Sequence, residues 1–284
     1  MTNTSSKIKL EDAVFVGFDT ETTGLSPVAH RLVELSAVKF QLDGSVISTF
    51  SQLIDPECPI APEATAVHGI TDRMVQGMPT YREAIPAFLE WLKGENVVLV
   101  AHNASFDLGF LEVAFAKMHQ PAPGYPVVDT LALSRLLVTD TPNHQLRTLV
   151  EHLGLESGGF HRALADSFHV KDLLARLLVM MPEWRTLADL AGACQILNFT
   201  DLRQEGFKQM EAMPPGFDSI RGAISAEQPI SLVYNNGHSA ERIVTPHSVH
   251  SWRGNLYLSG FCHTVQAERT FRLDKIVRFH LLEQ

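Results

Sequence analysis

Two acidic residues stand two positions apart in the segment 18–24, which has the sequence FDTETTG. The apolar run 13–18 before them predicts a buried strand, so Asp19 and Glu21 at its end point to the same face of the sheet. Two carboxylates this close repel each other unless a cation lies between them. Hard oxygen ligands favour Mg²⁺ or Mn²⁺. A pair of surface acids would give the same short motif.

Two later segments carry further groups of this kind. Asp107 ends the sequence HNASFD and falls in the first turn of a predicted helix, where an acid that complements the helix dipole would look the same. His161 and Asp166 begin and end the sequence HRALAD. At 3.6 residues per turn, five positions separate two side chains by about 140° on a helix. We therefore expect His161 in the loop before the helix and Asp166 on the helix itself; a surface histidine is the alternative.

The order of these motifs resembles that of the DnaQ-like DEDDh exonucleases, which include proofreading subunits and RNase T-like trimmers. The resemblance covers about residues 13–180. The positions that match the four acids and the histidine of that family are Asp19, Glu21, Asp107, Asp166 and His161. The resemblance implies a metal-dependent 3′→5′ exonuclease, a phosphodiester hydrolase that uses two divalent metal ions, Mg²⁺ or Mn²⁺. Its products would be nucleoside 5′-monophosphates from DNA or RNA.

The same resemblance implies a role for each catalytic residue. Asp19 would bridge the two ions. Glu21 and Asp166 would complete the site of the ion that holds the nucleophilic water, and Asp107 would serve the second ion. His161 would be the general base, because an imidazole with a near-neutral pKa accepts a proton at cellular pH.

Residues that contact the substrate are also implied by the resemblance, and they are Thr20, Gly24, Leu25, His68 and Phe106. Leu25 would wedge against the terminal base, and Phe106 would stack on a base. Core packing explains both side chains equally well at this point. His68 lies in the segment 67–71, which matches a family segment at the substrate cleft, but a structural histidine is the alternative.

The predicted elements that position these residues begin with strands, and helices that alternate with short strands follow. The run 13–18 and the runs 31–42 and 46–54, joined by a turn at Asp43-Gly44, predict three antiparallel strands. Helices at 81–93, after Asn103 as a cap, and at 161–181 then alternate with short strands. Pro86 predicts that the first of these helices bends or starts late. The fold class is α/β, a mixed sheet flanked by helices, and the resemblance implies a ribonuclease H-like fold.

The C-terminal part of the chain has a different pattern. Short apolar runs separated by polar turns predict a small antiparallel β unit, and these runs are 230–234, 242–246, 256–261 and 270–278. The sequences LYLSGFC and RTFRLDKI resemble a WYL domain, with Asn255 in place of the namesake tryptophan, which implies a small Sm-like barrel. We expect an exonuclease domain at 1–181, a helical connector at 182–222 and a WYL-like β domain at 223–284.

Four side chains of this β unit are candidates for a pocket that holds nucleic acid or a regulatory ligand: Arg242, Tyr257, Arg269 and Arg272. A solvated barrel face with ion pairs is the alternative. WYL domains usually sense ligands or bind nucleic acids, so the resemblance implies one of these two roles.

Composition limits the alternatives. A net charge of −9 argues against a protein that simply coats phosphates, but clustered metal-binding carboxylates account for such an excess in a nuclease. Residues 225–284 hold six basic and five acidic side chains, so the acids are concentrated earlier, which supports two domains. The three cysteines lie far apart and suggest no disulfide framework or cysteine zinc site. No apolar run approaches the roughly 20 residues that span a membrane, so we expect no membrane association. The separated cysteines and the polar N-terminal sequence lead us to expect a cytoplasmic protein.

The expected partner is nucleic acid, with single-stranded 3′ ends as the substrate, and analogy to dimeric relatives suggests a homodimer. A competing hypothesis is a regulator in which the WYL unit senses a ligand and the exonuclease fold is a binding platform. The complete set of five catalytic residues argues against it, and also against a purely structural interaction protein. The choice between DNA and RNA stays open.

Overall fold

The computed structural model of the chain describes residues 7–156, 159–194, 196–198, 208–209, 213–235, 239–252 and 255–282. Its first sheet has the strand order β3-β2-β1-β4-β5-β6. The strands are β1 (Val14–Thr22), β2 (Leu32–Phe40), β3 (Val46–Leu53), β4 (Val97–Ala101), β5 (Pro126–Asp129) and β6 (Leu197–Asn198). β4 runs parallel to β1 and β5, whereas β2, β3 and β6 pair antiparallel with their neighbours. The predicted mixed sheet and hairpin are confirmed.

Helices cover both faces of this sheet. They are α1 (Pro62–His68), α2 (Asp72–Val75), α3 (Tyr81–Leu92), α4 (Ser105–Lys117), α5 (Thr130–Leu137), α6 (Leu146–His152), α7 (Ala163–Val179) and α8 (Leu187–Ala193). Alternate residues of β1 belong to two separate apolar cores, because neighbouring side chains of a strand point to opposite faces. Val16 packs with residues of α3 and α4, whereas Phe15 packs with residues of α7. The sheet is therefore buried on both faces and gives β1 a rigid position.

Strand β1 is longer than the apolar run predicted. It continues through both acids to Thr22, because its backbone stays paired with β2 as far as Thr22 opposite Leu32, with a register shift after Glu21. Apolar patterning ends at Phe18, whereas backbone pairing does not depend on the polarity of the side chains. Asp19 and Glu21 therefore lie inside a strand, on one face of it.

Two local expectations concern the starts of helices. The helix that contains Pro86 does not start late: α3 begins at Tyr81, where the carboxylate of Glu83 accepts a hydrogen bond from the backbone N–H of Thr80 at 2.9 Å. The alternative, a bend at Pro86, stays a prediction. Asn103 does not cap α4, whose N-cap is Ala104. Asn103 instead has a positive φ of 63°, and its N–H donates to Asp129 Oδ1 at 2.9 Å.

The C-terminal part forms a second, antiparallel sheet with the strand order β11-β10-β9-β8-β12. Its elements are β7 (Lys208–Gln209), α9 (Asp218–Ser225), β8 (Ile230–Asn235), β9 (Ser239–Trp252), β10 (Asn255–Cys262), β11 (Ala267–Arg272) and β12 (Ile276–Leu281). It has its own apolar core, which includes Leu232, Leu258 and Phe271. The predicted all-β unit is confirmed, although a 3₁₀ turn at Leu273–Lys275 divides the expected run 270–278 into two strands.

The segment expected to be a helical connector contributes to both sheets. Besides α8 and the start of α9, it contains β6, which pairs with β5, and β7, which pairs with β9. The domain boundaries at 181 and 222 stay a prediction. None of the helices in the described ranges has the length and apolar character needed to cross a membrane.

Candidate active site

Three carboxylates from β1 and α7 converge near the carboxyl end of β1, an inner strand of the first sheet. One oxygen each from Asp19, Glu21 and Asp166 lies within 4.8 Å of the other two. Asp19 and Glu21 share a face of β1, and Asp166 lies in the first turn of α7, which packs across that face. Gly17 permits this approach, since a Cβ there would lie 2.9 Å from the carbonyl oxygen of Ser167.

Asp107 stands beside this trio. α4 follows β4, the parallel neighbour of β1, so its first turn lies at the same sheet edge as the end of β1. Oδ1 of Asp107 accepts hydrogen bonds from the backbone N–H of Thr20 at 3.0 Å and from its hydroxyl at 2.7 Å. Asp107 is 2% exposed, and these bonds hold its carboxylate in place.

The electrostatics of the site favour a bound cation. Burial, and then the neighbouring carboxylates led by Asp107, raises the pKa of Asp19 well above its usual value. Burial, and then Asp166, raises the pKa of Glu21 to about 8. Burial raises the pKa of Asp107 to about 7, and the bonds from Thr20 oppose that rise. Ionising all of these groups is therefore unfavourable unless divalent cations neutralise them, and carboxylate oxygens are the ligands that Mg²⁺ and Mn²⁺ prefer.

His161 lies in the loop directly before α7, as the helical spacing required. Its side chain is exposed, its φ is 66°, and its backbone N–H donates to Asp166 Oδ2 at 2.9 Å. This bond partly opposes the rise that burial causes in the pKa of Asp166. The backbone that carries the imidazole is thus tied to one of the three converging carboxylates.

Sequence reasoning missed a buried carboxylate that supports this loop. Glu34 on β2 is 1% exposed and is the register partner of Glu21. Its carboxylate accepts from Arg162 Nη2 at 2.8 Å, from Arg162 Nε at 3.2 Å and from the N–H of Ala163 at 3.0 Å. The signal in the sequence was an acid directly between two apolar residues, Val33 and Leu35, of a predicted strand. Glu34 therefore fixes the residue next to His161 and the first residue of α7.

We expect Glu34→Gln to lower kcat about tenfold. The carboxylate accepts two hydrogen bonds from Arg162, and a neutral amide would hold Arg162, and with it the loop that carries His161, less firmly. The midpoint of thermal unfolding should fall as well. Steady-state kinetics and thermal unfolding measure the two effects. Glu90→Gln, which changes an exposed ion pair with Lys93, is the matched control and should change neither. A lower unfolding midpoint with an unchanged kcat would limit Glu34 to a structural role.

A cleft of about 540 Å³ opens beside the carboxylates. Its lining includes all five residues expected to contact substrate, which are Thr20, Gly24, Leu25, His68 and Phe106. Leu25 is 83% exposed, so it is free of core packing and presents an apolar side chain to the cleft. Phe106 is half-buried and packs on Phe110 with ring centroids 5.2 Å apart. Gly24 accommodates the His30 ring, since a Cβ at Gly24 would lie 2.4 Å from it.

His68 and Thr20 line the cleft, but the polar atoms of both side chains form hydrogen bonds with other groups of the protein. Nδ1 of His68 accepts from the N–H of Ile70 at 3.0 Å, so Nε2 carries the proton and donates to the carbonyl oxygen of Thr22 at 3.2 Å. Burial lowers the pKa of His68, which keeps the ring neutral. The hydroxyl of Thr20 donates to Asp107. In this arrangement both residues shape the cleft.

The structure does not bring together the four residues expected to form one pocket in the β unit. Tyr257 and Arg272 are register partners, and Arg272 pairs with Asp274. Arg269 lies three positions before Arg272 in the same strand and therefore points to the opposite face, where it lines the 540 Å³ cleft. Arg242 lies opposite the buried Leu232 on the β8–β9 pair. Strand alternation therefore separates Arg269 from Tyr257 and Arg272, whereas a ligand-binding role of these residues stays a prediction.

Two family models match the chain. The exonuclease (RNase T) model matches residues 16–174, and the WYL domain model matches residues 215–281. The first match contains all four acids and the histidine of the site. The second includes α9 and the five strands β8 to β12. The two resemblances inferred from the motifs are thereby confirmed.

Similar proteins are known for the first part of the chain. The DNA polymerase III PolC-type proteins of Halalkalibacterium halodurans and Bacillus subtilis are each 41% identical to it, over 171 and 170 residues, which is 60% of this chain. The chain spans only 12% of either protein. A solved structure of E. coli Exonuclease I with a dA16 oligonucleotide is 15% identical, with a TM-score of 0.53 over 88% of this chain and 55% of that chain. The nuclease domain of 3′hExo, a DEDDh family member bound to rAMP, is 20% identical, with a TM-score of 0.53 over 61% of this chain and 94% of that chain. These two structures share the fold.

Proposed function

Because the chain belongs to the exonuclease family whose model matches residues 16–174, we propose that it removes nucleoside 5′-monophosphates from the 3′ ends of DNA or RNA. The observation that carries the proposal is the convergence of Asp19, Glu21 and Asp166 within 4.8 Å, with Asp107 beside them. Buried carboxylates with raised pKa values fit divalent cations, which are the cofactors that we propose for this reaction.

The four acids and His161 have separate tasks in this mechanism. When bound, two divalent ions, Mg²⁺ or Mn²⁺, supply the positive charge that stabilises the attacking and leaving oxygens. The carboxylates of Asp19, Glu21, Asp107 and Asp166 would hold these ions: Asp19 would serve both, Glu21 and Asp166 the one beside the attacking water, and Asp107 the other. His161 would accept the proton of that water, for which its exposed position before α7 leaves the ring accessible.

The cleft supports a single-stranded 3′ end as the substrate. Leu25, which is exposed and lines the cleft, would wedge against the terminal base, and Phe106 would stack on a base. Such contacts require a base that is released from pairing, which a single strand provides without cost. A homodimer and a cytoplasmic location stay predictions from analogy and composition.

The first experiment is a gel time course with 3′- and 5′-labelled single-stranded DNA, duplex DNA and RNA, each with Mg²⁺, Mn²⁺ or EDTA. We expect trimming from the 3′ end that requires metal and stops in EDTA. The same gels identify the preferred nucleic acid. Cleavage that starts at the 5′ end, or an absence of cleavage in every arm, would contradict the proposal.

The WYL match at 215–281 favours a second candidate, a regulator that senses a ligand through its β unit. In that case the exonuclease fold would bind nucleic acid without cutting it. Metal-dependent release of mononucleotides, measured by chromatography of the time-course products, separates the two candidates. We propose that the WYL unit serves the nuclease by binding nucleic acid, because Arg269 of this unit lines the cleft beside the carboxylates.

A further inference from the structure

Among the described residues that line the cleft beside the carboxylates, one comes from the WYL unit. These residues lie on β1 and the loop after it, on or next to α1, and on α4, with the exception of Arg269. Arg269 belongs to β11, more than 240 positions after Glu21 in the sequence. The second sheet therefore contributes a guanidinium to the same cavity to which β1 contributes a metal-binding carboxylate.

The β10–β11 pair sets the direction of this side chain. Arg269 lies opposite Gly260, which has no side chain on that face. Gly260 is required there, since a Cβ would lie 2.2 Å from the carbonyl oxygen of Thr245. β11 is the edge strand of its sheet, and Arg269 shares a face of it with Phe271 of the core of the second sheet, two positions later. Arg269 is consequently half-buried, whereas Arg272 on the other face pairs with Asp274.

The charged residues that line the cleft have both signs. Glu21, whose carboxylate converges with those of Asp19 and Asp166, lines it together with Glu63 and Arg269. His30, the ring that packs on Gly24, lines the same cleft, and the positive charge of Arg269 adds to the effect of burial in lowering the pKa of His30. A strand whose scissile phosphate lies at the carboxylates thus shares its cleft with a guanidinium. Arginine presents a planar fork of donors that fits a phosphate group.

We propose that Arg269 binds a backbone phosphate of the substrate strand other than the scissile one, so that the WYL unit forms part of the exonuclease cleft. This proposal rests on the proposed exonuclease activity. It makes Arg269 a specificity-determining residue, which favours strands with at least two phosphodiester linkages. It also gives the WYL unit nucleic acid, bound at the catalytic cleft, as its ligand.

The test compares Arg269→Ala with Arg278→Ala, which removes the same charge from an exposed position on β12, at the far edge of the same sheet. The substrates are a dithymidine monophosphate, which has one linkage, and a ten-residue oligothymidylate, or their uridine equivalents if the time course shows cleavage of RNA. We expect Arg269→Ala to lower kcat/KM about tenfold on the ten-residue strand, mainly through KM, and less than twofold on the dinucleotide. Arg278→Ala should match the wild type on both.

A second comparison replaces one charged linkage by a neutral methylphosphonate, either the first or the second linkage on the 5′ side of the scissile one. At one of these two positions the methylphosphonate should lower the wild-type rate to that of Arg269→Ala and should not lower the rate of the variant further. Full additivity of the two changes at both linkages would overturn the proposal, because the side chain and the phosphate would then act independently.

Binding provides a readout that a purely structural role would not change. In EDTA, the affinity of the ten-residue strand should fall with salt less steeply for Arg269→Ala, by roughly 0.7 in the logarithmic slope, as one phosphate contact predicts. Arg269→Lys should keep the slope, and Arg269→Gln should reproduce the effect of Arg269→Ala if the alanine variant does not fold. Equal slopes for wild type and Arg269→Gln would refute the contact. A wild type that cuts neither substrate would instead refute the exonuclease proposal.

Discussion

Asp19→Asn is expected to lower kcat by at least about 10³-fold, because in the proposed mechanism the Asp19 carboxylate holds metal ions and the neutral amide cannot supply its negative charge. Stabilisation of the transition-state charge by bound metal amounts to several kcal/mol, and each 1.4 kcal/mol is about a factor of ten in rate. The change conserves the size of the side chain in the strand that pairs with β2, so the fold should be kept. Gel assays with a single-stranded substrate in Mn²⁺ measure the loss.

The same substitution should stabilise the metal-free protein. The pKa of Asp19 is raised in the folded state, so its ionisation opposes folding. For a carboxyl of this kind, the folded state binds more protons than the unfolded state, and the free energy of unfolding falls as pH rises. For Glu21, the free energy of unfolding falls between about pH 4.5, the usual pKa of this group, and about pH 8, its pKa in the folded protein. Removing the charge at position 19 lowers the repulsion on Glu21 as well.

Thermal unfolding in EDTA at pH 5 and pH 8 tests this consequence. The unfolding midpoint of the wild type should be lower at pH 8 than at pH 5, because the clustered carboxylates ionise between these values. The decrease should be smaller for Asp19→Asn. Mn²⁺ should raise the midpoint of thermal unfolding of the wild type at pH 8, because a ligand that binds the folded state stabilises it. The rise should be smaller for the variant, because it binds the metal more weakly. Asp12→Asn, at an exposed position before β1, is the control and should behave as the wild type. A variant that keeps more than a tenth of the wild-type kcat would contradict the assignment of Asp19.

His161→Ala is expected to lower kcat about 10²- to 10⁴-fold, the usual contribution of a general base. Because His161 has a positive φ, alanine there also strains the backbone. His161→Asn is the better variant, since asparagine tolerates this conformation and cannot act as a base near neutral pH. Its metal-induced shift of the unfolding midpoint should equal that of the wild type, because the imidazole is not a ligand in the proposed mechanism.

The pH–rate profile decides whether His161 acts as a base. The wild-type kcat should rise with pH as the general base loses its proton, and this limb should disappear in His161→Asn. His119→Asn is a matched control, because His119 is also exposed and has a positive φ of 55°. An unaltered profile in His161→Asn would remove His161 from the mechanism, whatever the loss in rate.

The sequence was sufficient for the residues whose role depends on local spacing. Asp19 and Glu21 share a face because strands alternate, and His161 lies outside the helix that carries Asp166 because five positions span about 140°. The antiparallel β unit was predictable from short runs and turns. Even so, β1 was predicted too short, because backbone pairing with β2 continues after the apolar pattern ends.

Contacts between distant segments were not predictable from the sequence. Glu34 and Arg162 meet across 128 positions, and they do so only because α7 packs on β2. His68 has both ring nitrogens engaged by backbone groups whose positions depend on how α1 lies against β1.

By itself, then, the sequence determined the kinds of catalytic groups in this protein and the elements that carry them, since both follow from side-chain chemistry and short-range periodicity. The tertiary structure alone decided which groups share a cavity. Arg269 and Arg272 are close in the sequence and lie on opposite faces of β11, whereas Arg269 and Glu21 line one cleft. The physical reason is that a cavity is formed by packing between elements, and the direction of a side chain into it depends on a register that long-range pairing sets.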